Sequence, residues 1–173
     1  MKTLLLTLLF AVGIAISSFA QLKPDSLSAA KHRIRLNIGV DAGLPTGSVS
    51  EVYNFVLGGS AKLEVPTITD TYLTITAGYT AFFIKGSLKS NGAPSTSNFV
   101  PLKAGVKIYT DNFFFEPQAG IVWSTEHDGG HAFAWSPGIG YSLNNGLEFG
   151  ARYEGWTNGG TIGQISARIA YRF

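Results

Sequence analysis

Residues 162–173 read Ile-Gly-Gln-Ile-Ser-Ala-Arg-Ile-Ala-Tyr-Arg-Phe. Counted back from the end, Phe173, Tyr171, Ile169, Ala167 and Ile165 share one face, and Arg172, Ala170, Arg168, Ser166 and Gln164 share the other. A period of two is the signature of a strand. A strand that finishes on an aromatic, with two arginines on its polar face, suits a closed barrel in which the last strand pairs with the first. The pattern therefore predicts that this segment runs antiparallel to both Leu147–Trp156 and Arg33–Leu44.

The same alternation recurs upstream. Strand one sets Ile34, Leu36, Ile38, Val40, Ala42 and Leu44 against Arg35, Asn37, Gly39, Asp41 and Gly43, and ends at Pro45-Thr46-Gly47. A loop then runs to about Phe55. Strand two sets Leu57, Ala61, Leu63 and Val65 against Ser60, Lys62 and Glu64. Strand three sets Leu73, Ile75, Ala77, Tyr79, Ala81 and Phe83 against Thr74, Thr76, Gly78, Thr80 and Phe82. After a polar loop over 85–98, strand four opens at Pro101, with Val100, Leu102, Ala104, Val106 and Ile108 against Lys103, Gly105, Lys107 and Tyr109. Strands five, six and seven follow around Phe113–Ser124, Phe133–Ser142 and Leu147–Trp156. Thr110-Asp111-Asn112 and Asn144-Asn145-Gly146 are hairpin signals. Eight strands of roughly ten residues are long enough to cross a bilayer when tilted. Connections after strands two, four and six are short, those after one, three and five are longer and the one after seven is modest, as in a barrel with turns on one side of a membrane and loops on the other.

A soluble barrel also alternates, so the orientation of the faces has to be decided separately. The aromatics of the apolar face fall into two bands. Phe113, Phe115, Tyr141, Phe149, Tyr171 and Phe173 lie toward the short turns; Phe83, Trp123, Phe133, Trp135 and Tyr153 lie toward the loops. Aliphatic residues fill the interval, which is the pattern of lipid contact between two interfaces. The polar face is rich in Gly, Ser, Thr and Ala, which suits a narrow interior. Every strand charge sits on that face: Arg35, Asp41, Lys62, Glu64, Lys103, Lys107, Glu116, Glu148, Arg152, Glu154, Arg168 and Arg172. A charge facing lipid at mid-depth costs roughly 2–4 kcal/mol. Mixed signs in a narrow lumen must pair, and Arg168 and Arg172 are expected to balance Glu148 and Glu154. Eight strands leave room for little but side chains, so a lumen plugged by ion pairs, with Phe82, Phe114, Tyr109 and Trp156 filling it further, is favoured over a pore. Pro117 and Pro137 fall inside strands five and six, where each removes a ladder donor, and bulges or missing bonds are expected there.

The remaining features set the context. The chain has no cysteine and a net charge of +2, so it has no disulfide framework and no electrostatic case for a nucleic-acid partner. Lys2, the apolar run Leu4–Ile16 and the small residues Ser18 and Ala20 form a secretory signal over residues 1–20, cleaved after Ala20. Residues 21–32 read as a polar exported tail, and the barrel domain as 33–173.

The signal, the eight alternating strands and the terminal Tyr171-x-Phe173 resemble the small eight-stranded outer-membrane barrels of the OmpA/OmpX type. Phe113-Phe114-Phe115-Glu116-Pro117-Gln118-Ala119-Gly120 is similar to stretches of the outer-membrane β-barrel proteins of Bacteroidota. The resemblance implies a monomer in the Gram-negative outer membrane, in contact with its lipid and lipopolysaccharide, with both termini in the periplasm. It also implies that Ile169, Tyr171 and Phe173 form the signal read by the outer-membrane assembly machinery. The expected role is structural or interactive, with a transport or secretion-accessory barrel as the first alternative. A lipid-A-modifying enzyme is the second alternative, but no His-x-Ser motif or amphipathic N-terminal helix supports it. Ser124–His131, with two histidines and two carboxylates, is the one stretch with metal-ligand chemistry, but a glycine-rich loop does not preorganise ligands. Neither a metal nor a cofactor is expected.

Overall fold

The computed structural model describes residues 33–68, 70–86, 96–126 and 129–173. The signal segment 1–20 and the tail 21–32 lie outside the described residues. Eight strands form one closed antiparallel barrel in chain order: β1 (Arg35–Thr46), β2 (Tyr53–Ile68), β3 (Thr71–Ile84), β4 (Thr96–Thr110), β5 (Phe113–Ser124), β6 (His131–Ser142), β7 (Leu147–Thr157) and β8 (Thr161–Arg172). The final strand closes the barrel as its alternation requires. It pairs with β7 from Leu147↔Tyr171 to Thr157↔Thr161, and with β1 from Asn37↔Arg172 to Thr46↔Gly163. A 12-residue strand such as β1, at roughly 3.3 Å per residue and tilted about 40°, rises about 30 Å, which is the thickness of a bilayer's hydrocarbon core.

Several boundaries differ from the sequence reading: β2 runs on to Ile68, and β6 begins at His131 rather than Phe133. β1 runs on through Pro45 and Thr46, because both still pair with β8, while its pairing with β2 stops at Gly43↔Val56. β2 begins at Tyr53, after a 3-10 turn over Gly47–Glu51. β4 begins at Thr96, because Thr96, Ser97 and Asn98 pair with Phe83, Phe82 and Ala81; Pro101 therefore lies inside the strand rather than at its start. Polar composition had marked residues 96–98 as loop, but a long partner strand recruits them into the ladder.

Three of the strand prolines, Pro101, Pro117 and Pro137, each coincide with a lapse in one neighbouring ladder. The β3–β4 pairing is interrupted between Ala77↔Leu102 and Thr80↔Phe99, at Pro101. The β4–β5 pairing is interrupted between Gly105↔Gln118 and Ile108↔Phe115, at Pro117, and the β6–β7 pairing between Trp135↔Gly155 and Gly138↔Arg152, at Pro137. Pro117 and Pro137 face each other across β5 and β6. Neither has an amide to give the other, so that pair is a non-hydrogen-bonded one, and each missing donor falls on the far side, toward β4 and β7. The barrel stays in register across all three lapses.

The distribution of side chains is inverted relative to a water-soluble domain. Among the described residues, 26 large hydrophobics are exposed, including Ile139 at 63% and Leu44 at 64%, whereas the buried set holds 17 polar or charged residues and only seven apolar ones. The exposed face carries both aromatic bands. Phe113–Tyr141 and Tyr171–Phe173 meet edge to face near the short turns, with ring centroids 4.8 and 4.9 Å apart. Near the loops, Trp135 meets Tyr153 at 5.2 Å, and Phe55 stacks on Phe83 at 4.3 Å. Phe55 is thus an addition to the loop-side band. Tyr79 is a further outward aromatic, seated opposite Gly59, which has no side chain to obstruct it.

Candidate functional site

The lumen is the candidate site, and strand parity builds it. Residues at i, i+2 and i+4 share a face, so Lys62 and Glu64 on β2, Lys103 and Lys107 on β4, and Arg152 and Glu154 on β7 all enter the interior. Once inside, they pair across the barrel rather than along their own strands. Lys62 Nζ donates to Glu116 Oε2 at 2.5 Å, and Lys103 Nζ donates to Glu154 Oε2 at 2.5 Å. Lys107 Nζ donates to Glu64 Oε1 at 2.7 Å and to Glu148 Oε2 at 2.8 Å. Asp41 lies between two guanidiniums, Arg168 at 2.7 Å and Arg152 at 3.3 Å.

Eleven of the twelve charges anticipated for the lumen are therefore in ion pairs. The twelfth, Arg35, lies over the ring of Tyr72, 4.4 Å from its centroid. The expected partners of the β8 arginines are corrected in part. Arg172 does meet Glu148, at 3.3 Å, but Arg168 turns to Asp41 on the adjacent β1, and Glu154 reaches across to Lys103. The reason is geometric: Asp41 and Arg168 are direct cross-strand partners, whereas Glu154 sits opposite Gln164.

Neutral polar residues complete the network, and of these only Tyr109 is expected in the lumen by name from the sequence. Asn37, with no exposed surface, donates to Glu148 Oε2 at 2.6 Å and accepts from Arg168 at 3.1 Å. Gln118 donates to Thr76 Oγ1 and to Glu116 Oε1. Ser142 and the Tyr109 hydroxyl both donate to Glu148 Oε1 and both accept from Arg172. Their signal was present in the pattern, since each occupies an inward position of its strand, but charge draws the eye first. Phe114 also turns inward, and its ring takes the space a side chain at position 140 would need: a Cβ on Gly140 would lie 2.3 Å from Phe114 Cζ.

Toward the loop end the interior changes character. Val56, Phe82, Val122, Ala134 and Trp156 form a buried apolar cluster, with Tyr53, Phe99 and Val49 packed against it. Phe82 lies 5.2 Å from Trp156 and 5.5 Å from Phe99, centroid to centroid. Trp156 Nε1 donates to Glu154 Oε1 at 2.8 Å, joining the apolar cap to the ionic network beneath it. Two voids among the described lumen residues are water-sized: about 30 Å³ beside Asp41, Lys103 and Gln164, and about 20 Å³ beside Lys62, Glu116 and Arg168.

The loop at 124–131 is only partly described, since His127 and Asp128 lie outside the described residues. Ser124 Oγ accepts from the Glu126 amide at 3.3 Å, and the His131 carbonyl accepts from Asn158 Nδ2 at 2.7 Å. Among the described residues no three potential metal ligands converge.

No protein-family model matches the chain, and no curated protein matches it. Solved structures do. Ail of Yersinia pestis, in a phospholipid nanodisc, aligns over 82% of this chain and 99% of its own with a TM-score of 0.59 and 13% identity. The N-terminal β-barrel domain of OprF from Pseudomonas aeruginosa aligns over 80% of this chain and 97% of its own, with a TM-score of 0.57 and 12% identity. The outer-membrane enzyme PagL aligns over 78% and 98%, with a TM-score of 0.54 and 15% identity. At these identities the likeness is one of architecture, and the architecture shared is the closed eight-stranded, up-and-down barrel of outer-membrane proteins.

Proposed function

We propose that the chain is an integral outer-membrane β-barrel with a structural or surface-interaction role and a lumen closed by its ion-pair network. The observation that carries this is the inverted surface: lipid-compatible side chains ring the outside while every strand charge turns inward. In water such a belt would be an aggregation surface; in hydrocarbon it is the low-energy arrangement. The resemblance to OmpA/OmpX-type barrels and to those of Bacteroidota belongs to this reading. So do export by the N-terminal signal, a monomeric state, contact with membrane lipid and lipopolysaccharide, and recognition of Ile169, Tyr171 and Phe173 by the assembly machinery. The barrel is read as non-enzymatic. Its two described interior voids are far smaller than a lipid substrate, and a lipid-A-modifying enzyme would need a Ser, His and acid group at the barrel surface or mouth.

Membrane fractionation with heat-modifiable gel mobility tests the barrel; a soluble chain with unshifted mobility refutes it. Planar-bilayer recording tests the plug: no steady single-channel steps are expected, and steady steps would favour the transport alternative. Mass analysis of lipid A from a deletion strain tests the enzymatic alternative, with unchanged lipid A expected. Crosslinking in intact cells then identifies what the outer loops meet.

A further inference from the structure

We infer that the lumen binds a small monovalent anion of chloride size, in the void of about 30 Å³ lined by Arg152, Lys103, Ser60 and Thr76. This rests on the closed-lumen reading above. The enclosed charges do not balance. Lys62 is matched by Glu116 and Lys103 by Glu154; Lys107 and Arg172 together match Glu64 and Glu148; Arg168 is matched by Asp41 at 2.7 Å. Arg152 is left over. Its ion-pair contact is with that same Asp41, at 3.3 Å, and the oxygen it approaches, Oδ1, makes no hydrogen bond. Arg35 lies apart, over Tyr72. Among the described residues the network thus holds one cation more than its carboxylates offset, on a side chain only 10% exposed. A buried charge without its counter-charge is strongly unfavourable.

The void beside Arg152 suits such a guest. Gly43, Gly58 and Gly78 share the inward faces of β1, β2 and β3 with Asp41, Ser60 and Thr76, and their missing side chains open the space. At about 30 Å³ it exceeds the roughly 10–15 Å³ that one water needs. Its lining has donors to spare. Ser60 Oγ accepts from Arg168, and Thr76 Oγ1 accepts from Gln118, so each hydroxyl still has its own proton to give. Lys103 donates to Glu154 and has further ammonium protons. Gln164 is buried against the void with no partner for its amide oxygen, and a half-turn of the amide offers the NH2 group in its place. A cation in this position would double the surplus charge. A divalent oxyanion would reverse it. A single halide ion cancels it.

The test uses the full mature chain in phosphatidylcholine vesicles, unfolded by urea and followed by the heat-shifted band. Sodium chloride, sodium bromide, potassium chloride and sodium gluconate are compared at equal ionic strength, so that general screening is constant. A ligand held by the folded barrel alone stabilises it in proportion to occupancy. The wild-type midpoint should therefore rise saturably as chloride or bromide replaces gluconate, and should be the same with sodium as with potassium. Arg152→Gln removes the surplus cation, and Gln164→Glu supplies a fixed carboxylate at the void. Both should make the midpoint blind to halide, and Gln164→Glu should match or exceed the wild-type midpoint in gluconate. Arg33→Gln removes a cation exposed ahead of β1 and should leave the halide shift intact. Should Arg152→Gln fail to fold, Gln164→Glu decides alone. A wild type whose midpoint ignores halide overturns the inference, since the void then holds water only. So does a midpoint that follows the cation, a halide shift that survives in Gln164→Glu, or one lost as completely in Arg33→Gln. A chain that enters no vesicle and shows no heat shift refutes the membrane reading instead.

Discussion

Replacing Lys107 by Met tests the ionic lumen at its most enclosed point. Lys107 and Glu64 both have no exposed surface, and Lys107 is the cation shared by Glu64 and Glu148. The methionine retains most of the stem that brings Nζ to 4.1 Å from the Phe114 ring centroid, so packing changes little and charge changes by one. The two carboxylates fare differently. Glu148 keeps Arg172 at 3.3 Å and the donors Asn37, Ser142 and Tyr109. Glu64 loses its ion-pair partner, and its Oε2 already has no hydrogen bond. Removing one partner of a buried pair costs about 3–5 kcal/mol, because the other charge is left stranded. Most of that cost should therefore reside on Glu64. Lys107→Met with Glu64→Gln restores local neutrality and should recover more than half of it. Urea unfolding from vesicles, followed by tryptophan emission and the heat-shifted band, measures both variants. A loss below about 1 kcal/mol for Lys107→Met would mean that water or a rearranged Arg172 already screens the site. No recovery in the double variant would mean the loss was packing rather than charge. Either result refutes the reasoning.

Three further outcomes follow from the same geometry. Ile75→Lys places a charge on the exposed aliphatic face and should destabilise the vesicle-inserted barrel by roughly 2–4 kcal/mol, whereas a cost near zero in the urea assay would place that face in water. Gly120→Ala puts a Cβ 2.1 Å from the Leu102 carbonyl oxygen, a backbone atom that cannot move without parting β4 from β5. A loss of about 1–3 kcal/mol is expected, with the shifts of Leu102 and Lys103 moving most by NMR. Pro101→Ala returns a donor to the interrupted β3–β4 ladder. The new amide at position 101 should exchange as slowly as its neighbours, with stability changed by no more than about 1 kcal/mol; rapid exchange would show that the lapse has a cause other than the proline.

Much of this was legible in the sequence, and what was not has physical reasons. The faces of all eight strands could be read because period-two alternation is a local property, and a one-residue slip would move every charge into lipid. Closure by the final strand could be read for the same reason. Strand ends could not, because Thr96–Asn98 join β4 only by virtue of a long partner in β3, and Pro45 stays in β1 only by virtue of β8. Pairing inside the lumen was the least legible part. Alternation assigns Lys62, Glu64 and Glu116 to one interior, but which carboxylate a lysine reaches depends on barrel stagger and on how far a four-carbon stem extends. That is why Lys62 meets Glu116 on β5 rather than its strand neighbour Glu64. Phe99 was hidden altogether, because the loop reading ended just before it, yet it packs on Trp156 beneath the outer opening.

The two halves of the lumen do different physical work, and the proposed plug needs both. An ionic network alone is permeable in principle, since ion pairs can open and water can replace each partner in turn. An apolar cluster alone would leave the charges below it to be solvated from the other end. Here Phe82, Phe99 and Trp156 cap the loop end, so an ion entering from that side must shed its water before reaching the first charged layer. That layer, Lys103 with Glu154, is tied to the cap through the Trp156 indole. Opening the cap therefore disturbs a buried carboxylate, and disturbing the carboxylate loosens the cap. Coupling of this kind makes closure cooperative. Toward the loops, inward positions otherwise filled by charge give way to Val56, Phe82 and Trp156, all buried.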